Sequence, residues 1–169
     1  MVVADGRGTP GRGAAWDRAV HRDLAAPVLD DQLAALDAVL QRWPDDTDGE
    51  RVGIRGWSFG GYLSGLAVLR RPDVFKAAVA GAPGVEWEDY DTHYTERYLG
   101  LPEADAAAYR EGSLLTYAKD LKRPLLLVHG TADDNVYFRH SLRLADALFR
   151  EGKEFEILPL SGQTHMVPD

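Results

Sequence analysis

The chain has 169 residues, 45% of them hydrophobic and 27% charged, which suits one globular domain with its own core and leaves little room for two. A formal net charge of −8 argues against nucleic acid or an anionic membrane surface as a partner, and the lack of cysteine excludes disulfides, thiolate catalysis and cysteine-held metals. No apolar run approaches the ~18 residues of a membrane-spanning helix, and Met1-Val-Val-Ala-Asp-Gly6 has no basic region followed by an apolar one, so no signal peptide is expected and the cytoplasm is the favoured location.

In chain order, Val2 to Ala4 reads as a short apolar strand that stops at Asp5-Gly-Arg-Gly-Thr-Pro-Gly-Arg-Gly13. Four glycines and a proline make that run a loop. Arg7 and Arg12 could suggest phosphate binding, but the spacing is not that of a P-loop, and a structural loop at a sheet edge is the better reading. Ala25 to Gln41 carries Leu29, Leu33, Leu36 and Leu40, the 3.6-residue period of a helix with one buried face. Asp30 and Asp31 are assigned to its start, where carboxylates suit the helix dipole. Trp43-Pro44 and the acidic run to Gly49 turn the chain back.

Val52 to Arg55 is then a strand, and a helix runs from about Tyr62 to Leu69. Phe75 to Ala80 is a further strand ending at Gly81-Ala-Pro-Gly84, whereas Val85 to Leu99 shows no clean period. The aromatics Trp87, Tyr90, Tyr94 and Tyr98 in that stretch either fill the core or wall a pocket. Pro102 to Tyr117 looks mostly helical. Pro124 to His129 is apolar enough for a central parallel strand. Tyr137 to Arg150 is a helix with Leu142, Ala145, Leu148 and Phe149 on one side, and Glu154 to Leu160 is a last strand. The alternation predicts an α/β fold, a mostly parallel sheet with helices on both faces.

Gly56-Trp57-Ser58-Phe59-Gly60 is a G-x-S-x-G motif between a strand and a helix, the context of a nucleophile elbow. The pattern alone is weak in a chain with 17 glycines, and the plain alternative is a packing turn. Glycines flanking Ser58 would leave room for neighbouring backbone, and the Phe59 N–H could serve a developing oxyanion at the helix N-terminus. Ser58, the run Gly130 to Asn135, and His165 follow three strand ends, where ligands of such sheets gather. Their order Ser, Asp, His is that of α/β-hydrolases. Asp133 and Asp134 compete for the acid, with Asp133, four residues after His129, preferred. His129 reads as structural. His21, His93 and His140 share no ligand spacing, so no metal and no cofactor are expected.

Asp5-Gly-Arg-Gly-Thr9, Gly56-Trp-Ser-Phe-Gly-Gly-Tyr62, Tyr90-Asp-Thr-His-Tyr-Thr-Glu-Arg-Tyr-Leu-Gly100 and His129-Gly-Thr-Ala-Asp-Asp-Asn-Val136 together resemble the catalytic α/β-hydrolase domain of the prolyl oligopeptidase family, and within it the dipeptidyl-peptidase IV branch. The resemblance covers nearly the whole chain. It implies a serine peptidase acting after proline through Ser58, Asp133 and His165, with an acylaminoacyl-peptidase or esterase on the same fold, or an inactive remnant, as alternatives. It also implies that Trp87, Tyr90, Tyr94 and Val136 line the pocket for the penultimate side chain, that Asn135 holds a substrate carbonyl, and that the Phe59 N–H serves the oxyanion hole. Gly84 replaces a frequent valine, which implies a looser wall.

The same resemblance implies parts this chain does not contain: an upstream oxyanion-hole tyrosine, an N-terminal β-propeller that binds the substrate amine, and a helix after the histidine. The expectation is therefore a partial hydrolase domain, incomplete at both ends, with apolar sheet surface exposed and little turnover on its own. Expected partners are a peptide substrate, the β-propeller of the parent and a second copy in a parent homodimer.

Overall fold

The computed structural model describes residues 1–166. In chain order its elements are α1 (Ala14–Arg18), α2 (Ala26–Arg42), β1 (Val52–Trp57), α3 (Phe59–Arg70), β2 (Phe75–Gly81), α4 (Thr92–Leu99), α5 (Ala106–Gly112), β3 (Leu125–Gly130), α6 (Arg139–Arg150) and β4 (Glu156–Leu160), with 3-10 segments at Trp87–Asp89 and Leu114–Asp120. They fall into two compact units, Met1–Gly49 with Asp91–Gly112, and Glu50–Tyr90 with Ser113–Asp169.

In the first unit the arginine-bearing loop is structural, as expected, but it edges no sheet of its own unit, which holds no strand among the described residues. Arg7 grips Asp31 through both its backbone N–H, at 2.6 Å, and its guanidinium, at 2.8 to 3.0 Å. Asp31 therefore serves that pair. It lies beyond the first turn of α2, which holds no acidic residue, so the dipole role assigned to Asp30 and Asp31 is corrected. The helix start is capped instead by Asp23, whose Oδ1 accepts from the N–H groups of Ala25 and Ala26. Val2 to Ala4 forms no strand: Val2 and Val3 are exposed and no ladder partner reaches them. The stretch that lacked a clean period contains α4, whose N-cap Asp91 accepts from Tyr94 N–H at 2.8 Å.

The second unit is an α/β fold around a four-stranded, all-parallel sheet in the order β1-β2-β3-β4, flanked by helices. The apolar run of β3 is central, as its composition requires. Ala78, Ala80, Leu125 and Leu127 share one buried face, with α3 packed on β1 and β2, and Leu114–Asp120 lying against both α3 and α6. The other face keeps apolar side chains in water: Trp57, Val79 and Leu158 remain partly exposed. No helix among the described residues is long and apolar enough to cross a membrane.

The buried side of α6 differs from the one predicted. Leu142 and Phe149 are exposed, and the face turned inward is His140, Ser141, Leu144 and Leu148. Two polar residues sit in the core because each finds partners there. His140 Nδ1 accepts from the N–H of Val85 at 3.2 Å, and burial holds its pKa down at about 4. A histidine pKa depressed in the fold makes the unfolded chain the stronger proton binder. The neutral ring's contribution is therefore complete above about pH 6.5 and is lost as pH falls toward 4, roughly 3 kcal/mol across the window. His140→Asn keeps an acceptor for Val85 and removes the titration. It is expected to flatten the loss of urea midpoint between pH 6.5 and 4; an unchanged slope would contradict the assignment.

Candidate active site

β1 runs straight into Ser58, which adopts φ 58° and ψ −119°. That conformation costs a non-glycine residue about 1–3 kcal/mol. It is held on both sides: Ser58 N–H donates to the Gly81 carbonyl at 2.9 Å, and Tyr62 N–H donates to the Ser58 carbonyl at 2.9 Å. A Cβ at Gly56 would collide with the Gly60 backbone, and one at Gly61 with the Gly81 carbonyl. Gly60 itself has open space, so the second steric constraint belongs to Gly61 and not to the motif glycine. Phe59 opens α3, and no protein acceptor among the described residues takes its N–H, leaving that donor aimed outward at the positive helix end.

His165 follows β4 and is almost fully buried. Its Nδ1 lies 2.7 Å from Asp133 Oδ2. Asp133 is buried after the end of β3, while Asp134 is exposed, so of the two competing carboxylates Asp133 is the one beside the histidine. Asp133 Oδ1 accepts from the N–H groups of Asn135, at 3.0 Å, and Val136, at 2.9 Å, which fixes the carboxylate plane.

The histidine loop is tied down by Gly162 N–H to Thr131 Oγ1 at 2.8 Å and Ala132 N–H to the Gln163 carbonyl at 3.0 Å. Gly130 is required there, because a Cβ would strike the Gln163 carbonyl. The third tie comes from the elbow: Trp57 Nε1 donates to the His165 carbonyl at 2.9 Å, with the two rings 6.4 Å apart. Ser58 Oγ has no hydrogen-bond partner among the described residues, so Ser58 and His165 are linked through Trp57 rather than by a direct bond. Such contacts tighten when substrate enters.

A second Ser, His and Asp constellation lies beneath. His129 Nδ1 is 2.7 Å from Ser141 Oγ, and His129 Nε2 is 3.2 Å from Asp133 Oδ2. His129 and Ser141 are wholly buried, so no substrate carbonyl can reach that serine, whereas Ser58 is half-buried at an open strand end. The arrangement with solvent access is Ser58, His165 and Asp133.

Of the pocket residues, Trp87 is buried against Tyr62 (ring centroids 4.9 Å apart), Phe59 (6.1 Å) and Tyr90 (6.0 Å). An aromatic wall thus runs from the elbow to Tyr90. The Tyr90 hydroxyl donates to Asn135 Oδ1 at 2.7 Å, which turns the Asn135 amide NH₂ away from Tyr90 and leaves it to donate. Val136 is buried and contributes at most the floor. A Cβ at Gly84 would lie 3.5 Å from the Trp87 ring, so the position has room that a side chain would fill. Tyr94 belongs to the other unit, where its ring packs on Tyr98 at 4.8 Å.

Sequence reasoning missed the residues that hold these groups. Trp57 carries the His165 backbone, Tyr62 backs Trp87, and α6 fastens the Trp87–Asp89 segment by Arg143 to Glu86 and Asp89 and by Arg139 to Asp89. Only Trp57 and Tyr62, inside the Gly56 to Tyr62 run, carried a signal. An open hollow lined by Ala77, Val79, Lys122, Pro124 and Phe155 lies at the amino ends of β2 and β3, away from this chemistry.

The prolyl oligopeptidase family model matches residues 1–169. Human dipeptidyl peptidase 8 is 39% identical over 170 residues, covering 99% of this chain and 19% of that protein. Mouse prolyl endopeptidase FAP is 38% identical over 168 residues, covering 98% of this chain and 22% of its own length. The crystal structure of Porphyromonas gingivalis dipeptidyl peptidase 4 superposes with a TM-score of 0.89 at 37% identity, over 95% of this chain and 23% of that one. The chain thus spans about a fifth of the length of the curated relatives it matches.

Proposed function

Because the chain belongs to the prolyl oligopeptidase family, and to its dipeptidyl-peptidase IV-like branch, we propose that it is the acyl-transfer part of a serine peptidase that removes dipeptides ending in proline. The observation that carries the reading is the 2.7 Å contact of His165 Nδ1 with buried Asp133, tied by Trp57 to a strained serine elbow.

Asp133 accepts a hydrogen bond from the Nδ1–H of His165, so Nε2 is the basic nitrogen. Ser58 Oγ adds to the substrate carbonyl carbon as its proton passes to His165 Nε2. The C–N bond breaks as the same proton is returned to the leaving amine, and the acyl group remains as a Ser58 ester. Water then repeats the sequence and frees the acid. The Phe59 N–H stabilises the tetrahedral oxyanion. In this proposal Trp87, Tyr90 and Val136 shape the pocket for the proline ring, and the Asn135 NH₂ donates to a substrate carbonyl. Recognition of the substrate's charged amine is assigned to a β-propeller outside these 169 residues, with a homodimer as the further assembly of the parent.

The test uses the full-length gene product with Gly-Pro and Ala-Pro chromogenic anilides, their N-acetylated forms and a simple ester. Cleavage of the free-amine dipeptides with fluorophosphonate labelling of Ser58 is expected. Preference for the N-acetylated forms would move the assignment to an acylaminoacyl-peptidase, and hydrolysis of the ester alone to an esterase. Labelling elsewhere, or none, would end the serine-peptidase reading.

A further inference from the structure

His129 closes β3, wholly buried, with both ring nitrogens engaged. Nδ1 faces Ser141 Oγ at 2.7 Å; Nε2 faces the Val136 carbonyl at 2.7 Å and Asp133 Oδ2 at 3.2 Å. A carbonyl and a carboxylate only accept, so one tautomer fits all three neighbours: Nε2 carries the proton and Nδ1 accepts from the Ser141 hydroxyl. Burial also lowers the ring's pKa from its ordinary value, which favours the neutral form.

Asp133 accepts three hydrogen bonds, from Asn135 and Val136 on Oδ1 and from His165 Nδ1 on Oδ2. The His129 Nε2–H bonds the Val136 carbonyl, and the same nitrogen lies 3.2 Å from Oδ2, a charge–dipole contact. We propose that His129 is a positioning residue for the acid of the catalytic triad, holding Asp133 Oδ2 toward His165 and sharing the charge that Asp133 presents to it. The inference rests on the assignment of Asp133 and His165 as acid and base. The buried Ser141, His129 and Asp133 cluster is then a support beneath the site, with Ser141 fixing the tautomer, and not a second catalytic centre.

Two consequences separate this role from mere filling of the core. The positive end of the His129 N–H dipole beside Oδ2 offsets part of the carboxylate's charge, so its loss leaves Asp133 a stronger partner for imidazolium, and the acid limb of kcat/KM set by His165 moves upward. The charged and titratable groups facing His129 are Asp133 and, across it, His165; His140 on α6 is the other histidine that feels His129. Loss of the contact also leaves Oδ2 free to turn from His165 without touching substrate contacts, so kcat falls and KM does not.

The discriminating pair, made in the full-length gene product, is His129→Gln and His129→Asn. Glutamine places its amide where Nε2 stands and still reaches Asp133, whereas asparagine reaches only toward Ser141. His129→Asn is expected to lose roughly 10- to 100-fold in kcat with KM within about 2-fold. Its acid limb should rise by roughly half a unit to one unit. His129→Gln should stay within about 5-fold of wild type in kcat with the limb unmoved. Equal losses in the two variants, or an unmoved limb in His129→Asn, would overturn the proposal. Should neither variant fold, ¹⁵N spectra of wild-type protein labelled at histidine decide: a neutral His129 protonated at Nε2 through pH 6 to 8 supports it, and protonation at Nδ1 overturns it. Ser58→Ala run in parallel keeps the outcomes apart. If Ser58→Ala is inactive while His129→Asn matches wild type, only this inference fails; if Ser58→Ala retains activity, the underlying assignment fails first.

Discussion

Ser58→Ala in the full-length gene product is expected to bring hydrolysis of a Gly-Pro anilide to background, a loss on the order of 10⁶-fold in kcat with substrate binding retained. The size follows from what is removed. No acyl-enzyme can form, and what remains is the positioning of substrate and the Phe59 N–H. The same assay on Ser141→Ala is expected to give kcat within about 5-fold of wild type, since that hydroxyl donates one hydrogen bond to a buried ring far from any substrate. Ser141 bonds His129, Ser58 is tied to His165 through Trp57, and both histidines touch Asp133, so the comparison decides between the two constellations. Activity lost with Ser141 and kept without Ser58 would reverse the assignment.

Asp133→Asn is the second large effect, about 10⁴-fold in kcat. The amide is nearly isosteric, and its oxygen can still accept from Asn135 and Val136. Its NH₂ then faces His165 Nδ1 where a carboxylate oxygen was. A donor there forces Nδ1 to become the acceptor, the ring proton moves to Nε2, and His165 no longer presents a base to Ser58. The same NH₂ also meets the Nε2–H of His129, two donors in opposition. The variant should therefore fold less stably as well as turn over slowly, which a urea titration beside the kinetics would show. Near-wild-type kcat in Asp133→Asn would mean that His165 does not depend on Asp133 for its tautomer.

Much of this was legible in the sequence because it rests on local pattern. The apolar run at Leu125 to His129 had to be an inner strand, and Gly56 to Gly60 between a strand and a helix announced a turn carrying a serine at a strand end. The chain order Ser58, Asp133, His165 then followed the strand ends. What was not legible depends on partners distant in sequence. Leu142 and Phe149 looked like the inner face of α6 because hydropathy counts apolar atoms, whereas His140 and Ser141 turn inward to meet Val85 and His129. Asp31 looked like a helix-dipole residue until Arg7 was found beside it. Val2 to Ala4 had a strand's composition but no neighbour to pair with. His129 was read as structural, and no sequence signal reveals that it shares Asp133 with His165, since that depends on a histidine brought back from far along the chain.

Trp57 binds the loop of β4 to the far edge of the same sheet, and this sets which part of the site opens first. Among the described residues β4 pairs on one side only, and most of its residues are exposed; a strand held this way is expected to open locally at less cost than global unfolding. Each opening withdraws His165 while Ser58, locked between β1, β2 and α3, stays in place. The indole bond and the Thr131 and Ala132 contacts therefore govern the fraction of molecules holding a base in reach. On warming, that fraction is expected to fall before the sheet melts, so that catalytic competence would be lost from a protein that is otherwise still folded.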